Sequence, residues 1–460
     1  MAPTGISRAM PMPRTIHSLW TAAAGFCLGL AACVPFQPGG LSPEQSAAGF
    51  SRRSLSEPGL QAYLKAQGAG GAGWNLDRLA VAATYFNGEV ALARAKADEA
   101  LARIAAARQS PNPVFSFAPG YNSSSKGISP WILAPSFEIP VETAGKKAAR
   151  VGQAQAEAEA ARCRVAQAGW EVRGQVRAAM LDLHAADVRA TWSRQEIDLR
   201  EQALAKLDLA VKEGESPAYE LTQERVSLNR ARLAADDAEK ECATAQARLA
   251  AAVGVPVRAL DGVRLDFSDF ARMPADPGSA ARRRALLHRG DLLACLADYA
   301  AADAALKSEV AKQYPDIHLG PGYELDQTDN KWTLGVSVEL PLVNRNRGGI
   351  ATAEATRRTA AAAFDARQAA VFGEIETALA DCSGARAKVR TAGRIAADAR
   401  QAAATTENMV QAGELAPVET IRRRIEAATA GLEHANAVIE AQQAAGRLEA
   451  AVQVPLRSLP

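Results

Sequence analysis

Lys331-Trp332-Thr333-Leu334-Gly335-Val336-Ser337-Val338-Glu339-Leu340-Pro341 alternates strictly, with Trp332, Leu334, Val336, Val338 and Leu340 interleaved by Thr333, Gly335, Ser337 and Glu339. As a strand it places one wholly apolar row on one face and small or polar groups on the other. About ten such residues suffice to cross a bilayer as a tilted strand facing lipid on one side and water on the other. A half-exposed strand of a soluble sheet carries the same pattern, so one copy decides nothing.

The pattern comes four times. Strands are expected over 113–121, with Phe115, Phe117 and Tyr121 on one face, over 131–141, with Trp131, Leu133, Phe137 and Ile139, over 315–325, with Ile317, Leu319 and Tyr323, and over 331–341. Upstream, Leu76, Leu79, Ala83, Phe86, Val90, Ala97, Leu101 and Ile104 fall at helical spacing, which predicts one amphipathic helix over 74–109 behind an Asn75 cap. Residues 145–212 contain no proline and predict a helix on the order of 100 Å long. Gly214-Glu215-Ser216-Pro217 breaks it, and a return helix runs to Val253.

The second half repeats the first at an offset near 200 residues. Pro119-Gly120-Tyr121 matches Pro321-Gly322-Tyr323, Glu138-Ile139-Pro140 matches Glu339-Leu340-Pro341, Gly214-Glu215 matches Gly413-Glu414, and Val253-Gly254-Val255-Pro256 matches Val452-Gln453-Val454-Pro455. So constant a register points to duplication. The organisation expected is a leader over 1–32, a Gly-, Ser- and Pro-rich tether over 33–73, a first repeat over 74–256, a link over 257–278 and a second repeat over 279–456. The fold class is mainly α with a small β part: two long antiparallel helical hairpins plus four membrane strands per chain.

Open sheet edges are not tolerated in hydrocarbon. Four strands do not close; two chains would give eight and a filled interior, three would give twelve and a wet lumen. The inward residues expected here, Ser, Thr, Gly, Ala and the carboxylates Glu138 and Glu339, suit the twelve-stranded homotrimer. The hairpins then extend the barrel into the periplasm as an α-barrel. Their turns, with Gly214, Glu215, Gly413 and Glu414, lie where a tunnel meets whatever loads it, although glycine there is also an ordinary helix terminator.

The 460 residues are 48% hydrophobic and 23% charged, with abundant alanine suited to closely packed helices. Arg8 and Arg14 precede an apolar run from Leu19 to Ala32, which reads as a secretory signal. Leu30-Ala31-Ala32-Cys33 resembles the bacterial lipobox, which implies that Cys33 is the lipidated mature N-terminus, and Val34 in place of Asp, by resemblance to the lipoprotein sorting rule, implies the outer membrane. Loss of Arg8 and Arg14 balances 53 basic against 51 acidic residues, so no nucleic-acid partner is expected.

The duplicated plan, its Gly-Glu turns and its VGVP and VQVP ends resemble the TolC-like outer-membrane efflux factors over nearly the whole mature chain. Residues 137–147 (FEIPVETAGKK) and 340–348 (LPLVNRNRG) look like the members that serve cobalt, zinc, cadmium or copper export. The resemblance implies a trimeric channel fed by a resistance-nodulation-division inner-membrane pump through a periplasmic adaptor. It also implies acidic residues closing the periplasmic end. Glu419 matches the first of these, Arg422 stands where a second acid is usual, and Glu220 is the first-repeat counterpart of Glu419. On that model three copies of Glu419 near an axis would attract Arg422 of a neighbour. Pairs 163–295 and 242–382 are reachable as disulfides, with buried free thiols favoured.

No nucleotide-binding loop or hydrolase signature is present, so an enzyme is not expected. Histidines 17, 184, 288, 318 and 434 show no ligand spacing, so no metal site and no cofactor beyond the lipid on Cys33 are expected. The competing readings are an exit channel for drugs on the same plan, and a lipid-anchored periplasmic scaffold without a pore.

Overall fold

The computed structural model describes residues 34–71, 73–124, 129–270 and 287–456. The chain divides into two compact units, Met1–Arg52 and Arg53–Pro460. The leader and Cys33 lie outside the described residues. Within the first unit the described chain forms one helix, α1 (Pro43–Arg52), which buries no residue.

In the second unit the expected tether ends early. α2 (Pro58–Ala66) starts on a proline and buries Leu60 and Leu64, four residues apart and therefore on one face, against α3 (Leu76–Phe86). The helix expected over 74–109 is two, α3 and α4 (Gly88–Arg108). Asn75 caps the first through Oδ1, which accepts from the Arg78 amide at 3.0 Å. Asn87 separates them: its backbone is extended, its Oδ1 accepts from the Glu89 amide at 2.8 Å, and its Nδ2 donates to the Ala252 carbonyl at 3.1 Å. A side chain that caps and bridges at once stops the α3 ladder without proline.

β1 (Val114–Tyr121) and β2 (Trp131–Val141) lead into α5 (Lys146–Lys212), 67 residues and about 100 Å long, and α6 (Ala218–Val253) returns. The link is not loose where it is described: two short 3-10 turns, Val257–Leu260 and Ser268–Phe270, bury Leu260 and Phe270. The second repeat follows with α7 (Gly290–Ala311), β3 (Ile317–Asp326), β4 (Asp329–Val338), the 65-residue α8 (Arg347–Gln411) and α9 (Pro417–Val452). Mostly helical with one small sheet, this is the class expected.

The duplication is visible in the core. Val172, Val176, Ala179, Leu249 and Val253 of one buried cluster have Val371, Ile375, Ala378, Leu448 and Val452 as their counterparts in another, always 199 positions on. Alanine lines much of the buried face of α5, including Ala154, Ala158, Ala160 and Ala161, and lets backbones approach closely. Gly254 ends α6 at φ 85°, where a Cβ would lie 2.9 Å from the Phe86 carbonyl oxygen, so the turn requires glycine. Its counterpart Gln453 holds the same left-handed geometry at φ 51° and is anchored by its side chain, which accepts from the Gly290 amide at 2.9 Å and donates to Gln167.

Cys163, Cys242 and Cys295 carry free thiols, so neither 163–295 nor 242–382 is bridged. Burial pushes all three thiols up, away from the reactive thiolate.

Candidate functional site

The four strands form one antiparallel sheet in the order β1-β2-β3-β4, in which β2 pairs with β3 and so joins the two repeats. Register makes the alternation of each strand into two continuous faces. Phe115 lies opposite Phe137, Tyr121 opposite Trp131, Leu319 opposite both Ile139 and Val336, and Tyr323 opposite Trp332. Every one of these side chains belongs to the apolar face. Trp332 is 82% exposed and Leu334 71%, which no protein contact within this chain relieves. A contiguous exposed apolar face marks a surface that lipid or another protein covers.

Aromatic pairs concentrate towards the loop ends of the hairpins. Tyr121 meets Trp131 edge-on with centroids 5.2 Å apart, and Tyr323 meets Trp332 at 4.8 Å. Amphipathic rings at a membrane-water boundary have this arrangement. The opposite face carries Ser116, Ala118 and Gly120 of β1, Ala134, Ser136 and Glu138 of β2, His318, Gly320 and Gly322 of β3, and Thr333, Gly335 and Ser337 of β4. β1 and β4 are the sheet edges, and neither has a second strand partner among the described residues.

Glu138 thus stands on the polar face, whereas Glu339 does not belong to a strand. β4 runs over 329–338, not 331–341, because its partner β3 begins at Ile317, opposite Val338. Beyond that point the ladder has no acceptor, and the Leu342 amide turns back on the Leu340 carbonyl at 2.8 Å. The third strand likewise runs over 317–326, and the first starts at Val114.

The two hairpin turns are built alike. Gly214 has φ 78° and Gly413 φ 81°. In the first, the Glu215 amide donates to the Ala210 carbonyl at 2.8 Å and the Gly214 amide to Val211 at 3.2 Å; in the second, Glu414 donates to Met409 at 2.9 Å and Gly413 to Val410 at 3.0 Å. These are paired Schellman closures, so both glycines are helix terminators by construction. Glu215 and Glu414 are left exposed.

Within the chain the Arg422 guanidinium donates to Glu419 at 2.8 Å and to Glu220 at 2.8 Å. Glu419 lies one turn before it on α9, and Glu220 occupies the first turn of α6, so the residue ties the two hairpins together. Burial works against its charge, but the carboxylates of Glu419 and Glu220 outweigh that and hold it above the ordinary guanidinium range. Leu199 and Ala203 of α5 pack with Ile421 and Ala428 of α9 beside this clamp. The pairing of Glu220 with Arg422, 202 residues apart, has no local signature; only the repeat register could have suggested it.

No His, Cys, Asp and Glu group of three or more is placed to hold a metal ion within one chain among the described residues. Among the same residues no helix is long and apolar enough to cross a membrane.

A family model described as outer membrane efflux protein matches residues 83–255 and 281–452, one match per repeat. The chain is similar to the cobalt-zinc-cadmium resistance protein CzcC of Cupriavidus metallidurans, 24% identical over 219 residues, 47% of this chain and 52% of that protein. The alignment thus spans about half the length of this relative. Among solved structures, CusC superposes with a TM-score of 0.67 at 18% identity, covering 83% of this chain and 94% of that one. VceC of Vibrio cholerae superposes with a TM-score of 0.66 at 19% identity, covering 86% and 98%. Both repeats, the hairpins and the two-faced sheet fit one description, and the chain belongs to the outer membrane efflux protein family.

Proposed function

We propose that this protein works as a homotrimeric outer-membrane channel that exports heavy-metal cations delivered by an inner-membrane resistance-nodulation-division pump through a periplasmic adaptor. The observation that carries the channel is the sheet: one face apolar and exposed, the other small and polar, with two edges unpaired in the chain. Three copies close twelve strands around water and leave no edge in lipid. The adaptor would meet the turns at Gly214, Glu215, Gly413 and Glu414, and lipid on Cys33 would add a second hold on the membrane. The metal cargo rests on the similarity to CzcC and on the resemblance of residues 137–147 and 340–348 to the members that serve metal export.

Deleting the gene is expected to lower cobalt, zinc and cadmium tolerance, and a plasmid copy to restore it. Unchanged metal tolerance with lost drug tolerance would transfer the same channel to drugs. A purified protein that stays monomeric and passes no current in a planar bilayer would favour the scaffold.

The clamp at Arg422 is read as a periplasmic closure. Its half-exposed pairs contribute about 0.2–1 kcal/mol each, so Arg422→Ala is expected to raise single-channel conductance a few-fold. Once unpaired, Glu220 and Glu419 of each subunit would repel one another and part the hairpin tips. Arg422→Lys should lie between the two. Identical currents from all three proteins would count against a gate here.

A further inference from the structure

On the polar face of the sheet, ionisable side chains occupy two levels only. Near the hairpin loops Lys331 lies 2.7 Å from Asp326 and 3.3 Å from Glu324, and Asp329 stands opposite Asp326, so one ammonium meets three carboxylates and no imidazole. At the helix-proximal end, Glu138 of β2 and His318 of β3 stand on adjacent strands, because His318 is opposite Pro140 and therefore diagonal to Glu138 on the same face. Between the levels the face offers only Ser, Ala, Gly and Thr, as at Ser136, Gly320, Gly322, Thr333 and Gly335. A cation moving along it meets Glu138 and His318 together, then no other charge until the outer cluster.

The inner pair brings an imidazole nitrogen and a carboxylate oxygen within reach of one ion. His318 Nδ1 is inaccessible to solvent and forms no well-directed hydrogen bond, although Glu138 Oε1 lies 2.8 Å away. Two donors bound to one tetrahedral zinc-like ion at about 2.1 Å are separated by about 3.4 Å, so the pair has to part by only about 0.6 Å to admit one. An imidazole nitrogen and a carboxylate oxygen suit zinc, cobalt or copper, whereas magnesium prefers an all-oxygen shell with water. A pair, not a closed set, also matches a site that must release what it takes.

We propose that Glu138 and His318 form a transit station at the inner end of the pore, where a divalent transition-metal cation is held by Nδ1 and Oε1 before it passes outward. Three subunits place three such pairs around the lumen. The proposal rests on the channel reading and deepens its cargo.

The test is the potassium current of the purified trimer in a planar bilayer, titrated with zinc chloride and, separately, magnesium chloride. Zinc is expected to block at concentrations at which magnesium does nothing. His318→Ala should weaken the zinc block at least about tenfold, Glu138→Gln by a few-fold, and His318→Gln should behave as His318→Ala while keeping side-chain bulk. Equal zinc block in wild type and both His318 variants would overturn the station, and so would a conducting wild type indifferent to zinc, which leaves the channel intact. Where current is too small to titrate, cobalt(II) added to the detergent-solubilised trimer should give visible absorption that His318→Ala removes, and its absence in wild type overturns the proposal. Cells whose zinc tolerance is independent of the protein would overturn the cargo without touching either readout.

Discussion

Leu334→Arg is expected to abolish the heat-resistant oligomer in outer-membrane fractions, whereas Thr333→Arg, one residue away, leaves it in place. Leu334 lies mid-strand in β4, 71% exposed, on the face shared by Trp332, Val336 and Val338. An arginine at the bilayer midplane on the lipid face of a barrel strand costs about 2–4 kcal/mol, and every subunit of the proposed trimer would bear it. Because β4 is also a sheet edge, the damage falls where one subunit's strands must meet the next. Thr333, opposite Gly322, belongs to the face of Gly335 and Ser337, where a charge is hydrated by the lumen. Its arginine should change conductance and ion preference and not assembly. Heat-modifiability on gels of membrane fractions separates the two outcomes. Equal loss of oligomer in both variants would mean that the faces are not lipid and water, and the two-faced sheet would lose its meaning.

The faces themselves were legible because alternation is a local property: each strand writes its own two rows, and a repeat register near 200 writes them twice. Strand ends were not. Glu339 continues the alternation of β4, yet pairing stops at Val338 because β3 starts at Ile317, a fact about the partner and not about the residue. The same holds for Asn87, whose neighbours favour helix on both sides; its Nδ2 bond to Ala252, 165 residues away, fixes the break. In 33–73 the abundance of Gly, Ser and Pro concealed α2, because Leu60 and Leu64 acquire a partner surface only when α3 and α5 are in place. Alternation alone assigns Glu138 to the small, polar face, whereas nothing in the spacing of the histidines points to His318. Spacing along the chain is the wrong measure for a pair brought together by a crossing between repeats, 180 positions apart. Arg422 has the same long-range character: the repeat brings Glu220 to it from 202 positions away, which no local pattern announces.

Arg289→Ala is expected to destabilise the helical part of the second repeat by about 3–5 kcal/mol, the usual cost of removing one member of a buried ionic cluster. The side chain is 3% exposed and stands just before α7. Its guanidinium donates to Asp291 at 2.7 Å, to Glu374 of α8 at 2.8 Å and to the Ala451 carbonyl in the last turn of α9 at 2.6 Å. One cation therefore joins the start of one helix, the middle of another and the end of a third, where the helix dipole also favours positive charge. Arg367, bonded to Asp291 at 2.6 Å and to Glu374 at 3.0 Å, would remain to share both carboxylates, which places the loss towards the lower end of that range. The effect should depend on pH in a definite direction. Burial pushes the Asp291 carboxyl up, but the Arg289 and Arg367 guanidiniums outweigh it and leave it below its ordinary value. A carboxylate depressed in the folded state contributes its full stabilisation above the unfolded value, about pH 4, and loses it as pH falls through the native one. Thermal unfolding followed by circular dichroism should show the gap between wild type and Arg289→Ala widest near pH 7 and narrowing below about pH 4. A gap constant from pH 7 to pH 3 would mean that the lost bond to the Ala451 carbonyl and the lost packing carry the whole effect, and that the Asp291 pair contributes nothing to holding the repeat together.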